Sequence, residues 1–291
     1  MSMEKQERTR KIRNLVFFVA FSLGVPWLGW ALDLGRGADP HNQQDSLGWL
    51  FFLVSPLLAV ILLRVFAGDG WKDAGLRPHF KGNGGWYVFA LLFHPLSMGL
   101  ILLVGSLLGV TKLAELSAGQ LSLLAGAILS LSLSSFFKNI FEEFAWRGYL
   151  APKLANLVSR PLLGHFLVGL VWFGWHLPYY IVLMAPEVLS KATALALAPF
   201  LFITFLGIFP TAILYDELRF RTDSVWPAVL IHTCANMFFD ALIVQKVFSL
   251  PGVFAEALIS PAMFSLASIL LTILAILWLD RKKMKKESSH A

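Results

Sequence analysis

Two adjacent carboxylates, Glu142 and Glu143, occur in an apolar stretch of the chain. Ionisable groups inside an apolar membrane helix are costly and usually indicate function. Arg147 follows Glu143 by four residues, so the two can pair on one helix face. Glu142 lies about 100° around the helix from Glu143 and lacks that partner. The alternative is a helix that leaves the membrane with both acids in solvent, but the sequence stays apolar beyond them.

Two histidines and an asparagine occur in two further apolar stretches. Trp172 precedes His176 by one helical turn and can pack against its imidazole, while Pro178 can loosen the backbone just after it. A spacing of four places His232 and Asn236 on one helix face, where both can donate hydrogen bonds into a bundle. The simpler alternatives are a core histidine bonded to a backbone carbonyl and a polar contact between helices.

Together these groups have the composition of a site that hydrolyses a bond with an activated water. A carboxylate such as Glu142 can take a proton from water while a histidine such as His176 orients that water. His232 and Asn236 can donate to a developing oxyanion. The H-E-x-x-H zinc-protease motif and the G-x-S-x-G serine motif are absent from the sequence. A zinc site with three protein ligands, Glu142, His176 and His232, stays open as an alternative.

Composition places the chain in a membrane. Of its 291 residues, 57% are hydrophobic and 14% are charged, whereas soluble domains have about 25% charged residues. So little charge cannot cover a water-facing surface, which excludes a soluble enzyme, a disordered chain and a nucleic-acid-binding module. The excess of basic residues is instead suited to anionic lipid headgroups. A single cysteine, Cys234, excludes an internal disulfide and is interpreted as a packing residue.

Hydropathy predicts an all-α bundle of about eight transmembrane helices. The chain is expected to form a single integral-membrane domain over residues 1–291, with the motif-bearing core at about 121–244. The fourth span is too long for the membrane and is expected to continue into the cytoplasm. The predicted spans are Leu15–Leu32, Leu47–Phe66, Trp86–Gly109, Leu121–Ala155, Leu162–Met184, Ala194–Leu214, Val225–Val244 and Ala262–Leu279.

The distribution of basic residues predicts the orientation of the bundle. With the N-terminus inside, 20 of the 24 Lys and Arg residues fall on the cytoplasmic side, in agreement with the positive-inside rule. Both termini, represented by Ser2 and His290, are therefore expected in the cytoplasm. The first apolar run has no small-residue cleavage site, so we interpret it as a retained span. The remaining basic residues, expected outside, are Arg36, Lys112, Lys191 and Lys246.

Other polar residues near span ends have simpler interpretations. Asp216 and Glu217 lie beside Arg219 and Arg221 at the end of a predicted span, which indicates a charge cluster at the membrane interface. His94 precedes a proline and is assigned to a helix kink.

The three motifs are Glu142-Glu143-x-x-x-Arg147, Trp172-x-x-x-His176 and His232-x-x-x-Asn236. In order, spacing and placement on separate spans, this set resembles the type II CAAX prenyl endopeptidase family, which includes bacterial CAAX protease and bacteriocin-processing membrane proteins. The resemblance covers roughly residues 125–239. Trp172 stands where the family more often has phenylalanine, so the aromatic character is kept.

The resemblance implies an eight-helix intramembrane endopeptidase whose cavity opens to the cytoplasm. It would cleave near the C-terminus of a prenylated or otherwise apolar peptide or protein. Glu142 would be the general base with His176 assisting, and His232 and Asn236 would stabilise the oxyanion. The resemblance further implies that Glu143 and Arg147 form a structural pair, supported by the aromatic Trp172. A metal-free mechanism is favoured over a zinc-dependent one.

Two other functional classes fit parts of the same pattern. A proton-coupled transporter would use the buried polar groups as a relay, but it predicts broken helices and inverted repeats, and no repeat is visible. A non-catalytic immunity or scaffold protein would keep the fold without needing the complete set of motif residues.

Overall fold

Helices form nearly all the regular structure of this chain, for which a computed structural model describes residues 3–115, 117–260 and 265–288. A two-residue antiparallel pairing of Lys112–Leu113 with Phe248–Ser249 joins two connections. The elements are α1 (Met3–Gly35), α2 (Leu47–Phe66), α3 (Gly84–Leu107), β1 (Lys112–Leu113), α4 (Ala118–Ala145), α5 (Ala151–Ala155), α6 (Pro161–Pro178), α7 (Pro186–Ala192), α8 (Leu197–Thr222), α9 (Trp226–Val244), β2 (Phe248–Ser249), α10 (Val253–Ile259) and α11 (Leu266–Ser288).

Seven helices of the described chain are long and apolar enough to cross a membrane, which confirms an all-α membrane protein. They match the first seven predicted spans, with ends that differ by a few residues except at the start of α1 and the end of α8. The predicted eighth span corresponds to a shorter apolar helix, Leu266–Asp280. Residues 261–264 lie outside the described residues, so eight spans stay a prediction. Ser2 and His290, the termini whose side was predicted, also lie outside them.

Two of these spans change to π-helical turns next to the motif residues. The turn Trp146–Leu150 follows α4, and the turn Tyr179–Leu183 follows α6 directly after Pro178. Proline has no N–H to donate to the preceding turn, which is the loosening predicted for this position. Turns of this kind are frequent at functional sites. The fourth span continues through its π-helical turn as one apolar segment, Ala118–Leu157, and is longer than a membrane needs.

The connections between helices lie at two opposite ends of the bundle. One end, which we call the basic end, comprises the start of α1 and connections 67–83, 156–160 and 223–225. Asn14 donates to the carbonyl oxygen of Ala67 at 3.1 Å. The backbone N–H of Val225 donates to the carbonyl of Gly75 at 2.9 Å. These contacts place the start of α1 and the α2–α3 and α8–α9 connections on one side.

The opposite side, which we call the cavity end, comprises the described parts of four connections, 36–46, 108–115, 184–196 and 245–260. The β1–β2 pairing joins the second of these connections to the fourth. Nδ1 of His41 lies 3.3 Å from the carbonyl oxygen of Leu183. Leu183 directly precedes the third connection, so this contact brings the first connection next to the third.

A partly buried cluster of charges closes the basic end. Asp73 lies 2.8 Å from Nη1 of Arg64 and 2.9 Å from Nζ of Lys153. Burial alone would raise the pKa of Asp73, but the hydrogen bonds from Arg64 and Lys153 outweigh it and hold that pKa below its usual range. Arg64 also donates to the carbonyl of Gly148, in the first π-helical turn. The α2–α3 connection is thereby fixed to the segment that carries the acidic motif.

Close packing of α1 on α2 depends on small residues. A Cβ atom added to Gly29 would lie 2.7 Å from the carbonyl oxygen of Leu47, closer than real side chains pack. Further inside, the ring of Phe52 on α2 stacks on Trp175 of α6 with centroids 4.0 Å apart. These contacts hold α6, and with it one histidine motif, against the first helices.

Candidate active site

All four predicted catalytic residues line one cavity of about 880 Å³. α4 contributes Glu142, α6 contributes His176, and α9 contributes His232 and Asn236. Trp172 lies on the same wall. The three separate motifs therefore meet at one place in the bundle.

Glu142 is 3% exposed and does not share the arginine that neutralises its neighbour. Its Oε2 atom accepts a hydrogen bond from the indole N–H of Trp172 at 3.3 Å. Nζ of Lys138 lies 3.8 Å from Oε1. Lys138 precedes Glu142 by one helical turn, and sequence reasoning overlooked it although the spacing of four was visible. The side chain of Lys138 is half-exposed to the cavity, so its charge is partly solvated.

The predicted pair of Glu143 and Arg147 is present and fully buried. Nη1 of Arg147 lies 3.1 Å from Oε2 of Glu143. The guanidinium carbon lies 4.4 Å from the ring centroid of Trp172 and 5.0 Å from that of Tyr215. Trp172 therefore supports both motif acids, because its face contacts the arginine that pairs with Glu143 and its N–H reaches Glu142.

Asp216 does not lie in an interfacial charge cluster, and that prediction is wrong. Its side chain is fully buried, and Oδ1 lies 3.1 Å from Nε of Arg147. Oδ2 lies 2.8 Å from Nδ1 of His165. The reason is that α8 continues to Thr222, well beyond the predicted end, so Asp216 faces the bundle interior. Glu217 on the next face does pair with Arg221, at 2.7 Å.

His94 has a specific partner that its position before a proline did not reveal. Its Nε2 atom lies 3.0 Å from the hydroxyl of Tyr215, and α3 continues through Pro95 to Leu107. Tyr215 in turn lies over Arg147, so the contact extends the buried polar network to a fifth helix.

His232 contacts a residue that the sequence had assigned only to structure. Its Nδ1 atom lies 2.7 Å from Oε1 of Glu143. Because Arg147 donates to the same carboxylate, Glu143 serves as the acceptor in this network and Nδ1 of His232 is the donor. Nε2 is then the nitrogen of His232 that faces the cavity.

His176 makes the backbone contact expected of a core histidine and also lines the cavity. Its Nδ1 atom lies 2.9 Å from the carbonyl oxygen of Trp172. A carbonyl oxygen only accepts, so Nδ1 carries the proton and Nε2 of the neutral ring is an acceptor. Nδ1 therefore makes the structural contact with the backbone, while Nε2 of the same ring remains for a functional contact in the cavity.

Asn236 is held by a buried residue that sequence reasoning missed. Its Nδ2 atom donates to Oδ1 of Asn139 at 3.2 Å. Asn139 is fully buried on α4, three residues before Glu142. The available signal was its helical spacing from the acidic motif, which places both on one side of α4.

The alternative zinc ligands do not form a metal-binding group. In the described part of the chain, no three His, Cys, Asp or Glu side chains are arranged to hold a metal ion. Glu142, His176 and His232 line the same cavity. We therefore derive no step that involves a metal.

Long apolar helices around a cavity with buried carboxylate, imidazole and amide groups define an integral, multi-pass membrane protein with a polar site inside the bundle. Residues 123–238 match the family model described as Rce1-like, type II CAAX prenyl endopeptidase Rce1-like. The resemblance predicted from the motifs is confirmed over this segment, which contains every motif residue. The match implies intramembrane protease activity of the CAAX class in general. The comparison with curated proteins gives no match.

Proposed function

We propose that the protein is an intramembrane endopeptidase in which Glu142 activates the attacking water. The observation that carries the proposal is the position of Glu142 in the cavity wall, opposite two imidazoles and without the arginine that neutralises Glu143. Its one cationic neighbour, Lys138, is 3.8 Å away and half-exposed, so a carboxylate in that position can still accept a proton.

Water activation uses Glu142 and His176 together. The carboxylate takes one proton of the water while Nε2 of His176 accepts a hydrogen bond from the other. The water oxygen then attacks the carbonyl carbon of the scissile peptide bond. When the C–N bond breaks, the proton held by Glu142 passes to the leaving amine, so the carboxylate is restored.

Stabilisation of the oxyanion falls to His232 and Asn236. Asn236 has a second amide N–H besides the one donated to Asn139. His232 donates a hydrogen bond from Nδ1 to Glu143, so Nε2 can donate to the oxyanion only if the ring already holds a second proton, taken up from solvent before the attack and kept through the reaction. The Glu143 carboxylate stabilises that form, as the aspartate does in a serine-protease triad. Glu143 is therefore assigned a second role besides pairing with Arg147.

The cavity walls favour an apolar substrate. Aromatic and aliphatic side chains dominate the lining, among them Trp49, Phe52, Phe137, Tyr180 and Phe200. A prenylated or otherwise apolar peptide segment would bury its side chains against these walls and place a peptide bond near Glu142. The membrane around the bundle supplies lipid as the other partner, and no cofactor is proposed.

Cleavage by purified protein tests the proposal. Detergent-solubilised protein is incubated with a quenched fluorescent peptide carrying a C-terminal prenyl group, and with the same peptide without it. Mass spectrometry should find two fragments whose masses sum to the peptide plus one water. Exhaustive chelation should leave the rate unchanged.

Three results would contradict the proposal. Loss of activity on chelation with recovery on adding zinc would assign Glu142, His176 and His232 to a metal. Solute uptake into proteoliposomes without cleavage would favour the transporter. Neither cleavage nor uptake would favour a scaffold.

A further inference from the structure

The cavity mouth is built by connections at one end of the bundle. Gln44 and Asp45 come from the α1–α2 connection, Leu189 and Thr193 from the α6–α8 connection, and Glu256 from the α9–α11 connection. All three belong to the cavity end. Among the described residues that line the cavity, none comes from the connections of the basic end.

The opposite side of the cavity is closed by a fully buried layer. Glu143, Arg147 and Asp216 have no exposed side-chain surface, and Tyr215 and Leu218 are also fully buried. These residues lie between the catalytic side chains and the basic end. A peptide therefore has a path to Glu142 from the cavity end and meets packed side chains from the other.

Charge identifies which end faces the cytoplasm. Lys138 lies in the cavity wall and Arg147 is fully buried. Of the other 22 Lys and Arg residues, 18 lie at or next to the basic end or in the two terminal segments that run to the same side. The cavity end carries Arg36, Lys112, Lys191 and Lys246. Its connections are short, which is the condition under which the positive-inside rule sets orientation. The basic end is therefore the cytoplasmic one.

These observations bring two of the expectations from sequence into conflict. A cytoplasmic N-terminus and a cavity open to the cytoplasm cannot both hold, because the start of α1 and the cavity mouth lie at opposite ends. The first rests on the charges of this chain, while the second was only implied by resemblance.

We propose that the catalytic cavity opens on the non-cytoplasmic side of the membrane and takes an apolar peptide segment presented there. The assignment of a substrate rests on the proposed function, whereas the direction of access does not.

Charges at the mouth extend the description of that substrate. Asp45, Asp240 and Glu256 line the cavity, and among its described lining residues Lys138 is the one lysine or arginine. Lys138 lies deep, beside Glu142. An apolar segment with neutral or basic flanking residues matches this distribution, while acidic flanking residues would be repelled at the entrance.

Cysteine accessibility tests the direction of access without any catalysis. Cys234 is first replaced by alanine, which gives a cysteine-free background. Single cysteines are then introduced into it: Gln44→Cys at the mouth, Ser134→Cys in the cavity wall and Lys81→Cys at the basic end. All three target positions are exposed, and unchanged melting temperatures show that each variant folds. Spheroplasts are treated with a membrane-impermeant maleimide before and after permeabilisation.

Gln44→Cys and Ser134→Cys should be labelled before permeabilisation, and Lys81→Cys only afterwards. Labelling of Lys81→Cys alone before permeabilisation would overturn the proposal. Protection of Ser134→Cys while Gln44→Cys reacts would also overturn it, because the cavity would then not be reached from that side.

A second measurement tests the substrate. An impermeant apolar peptide with lysine flanks is added outside spheroplasts, and the same peptide with glutamate flanks is the matched control. Spheroplasts with the wild-type protein should cleave the lysine peptide faster, and those with Glu142→Gln should cleave neither. Cleavage only after permeabilisation would overturn the direction of access and leave the protease intact. No cleavage in spheroplasts or in detergent, with the labelling pattern as expected, would overturn the proposed function and the substrate assignment with it.

Discussion

Nδ1 of His232 on α9 lies 2.7 Å from Oε1 of Glu143 on α4. The same carboxylate pairs with Arg147, which in turn contacts Asp216. The second acid of the motif is therefore shared between a structural pair and an imidazole in the cavity wall. This contact predicts that changes at Glu143 affect both stability and chemistry, and that the two effects can be separated.

Replacing Glu143 by Gln tests its contribution to the chemistry. The amide oxygen of glutamine can still accept a hydrogen bond from Nδ1 of His232 but no longer stabilises an imidazolium by charge. We expect kcat to fall by about 10²-fold or more with little change in KM, by analogy with the triad aspartate. Steady-state kinetics check this, with Glu217→Gln as the matched control because Glu217 pairs with Arg221 outside the cavity. An unchanged kcat would show that Glu143 serves only to hold Arg147.

Replacing Arg147 by Ala tests the buried pair. The change leaves Glu143 and Asp216 buried without their shared cation, at a cost of about 3–5 kcal/mol in the free energy of unfolding. The melting temperature in detergent should fall clearly. Arg160→Ala, which removes an exposed arginine at the start of α6, should leave it unchanged. Equal melting temperatures for the two variants would mean that the charges around Arg147 are solvated.

Trp172 has two contacts that two substitutions can separate. Trp172→Phe keeps an aromatic face against Arg147 but loses the N–H that reaches Glu142. One such hydrogen bond contributes about 1 kcal/mol, so we expect a fall in rate of about tenfold or less and a stable fold. Trp172→Leu also removes the face that contacts the guanidinium, and its melting temperature should fall as well. The interpretation fails if both variants show the same stability and the same rate.

Asn236 is expected to contribute less than the base. Asn236→Ala removes one donor to the oxyanion, which typically lowers the rate by about 10²–10³-fold. Asn139→Asp keeps an oxygen that accepts from Nδ2 of Asn236, so it should retain more activity than Asn139→Leu, which cannot hold the amide. Rates measured at saturating peptide compare the three. Full activity in Asn139→Leu would remove Asn139 from any positioning role.

Local signals predicted the helices and the pairing of Glu143 with Arg147. A run of about 20 apolar residues identifies a span without reference to its neighbours, and a spacing of four places Glu143 beside Arg147. These features depend only on residues that are close in the chain, so the sequence was sufficient for them.

Contacts between distant helices were beyond the sequence. Asp216 is far from Arg147 in the chain, and its burial depends on how far α8 continues and which face meets α4. The contact of His232 with Glu143 likewise depends on the packing of α9 against α4. The position of the cavity mouth was also hidden, because it depends on which connections come together at one end.

The central claim is that Glu142 activates the water, and the most direct measurement of it is the cleavage rate of Glu142→Gln. Glutamine keeps the shape of the side chain and can accept the indole N–H of Trp172, but it cannot take the proton. We expect kcat to fall by about 10²–10⁴-fold while the melting temperature and the affinity for peptide are retained. Lys138→Gln, which removes a charge from the same wall and keeps the carboxylate, should remain active. A Glu142→Gln enzyme with the kcat of the wild type would contradict the account.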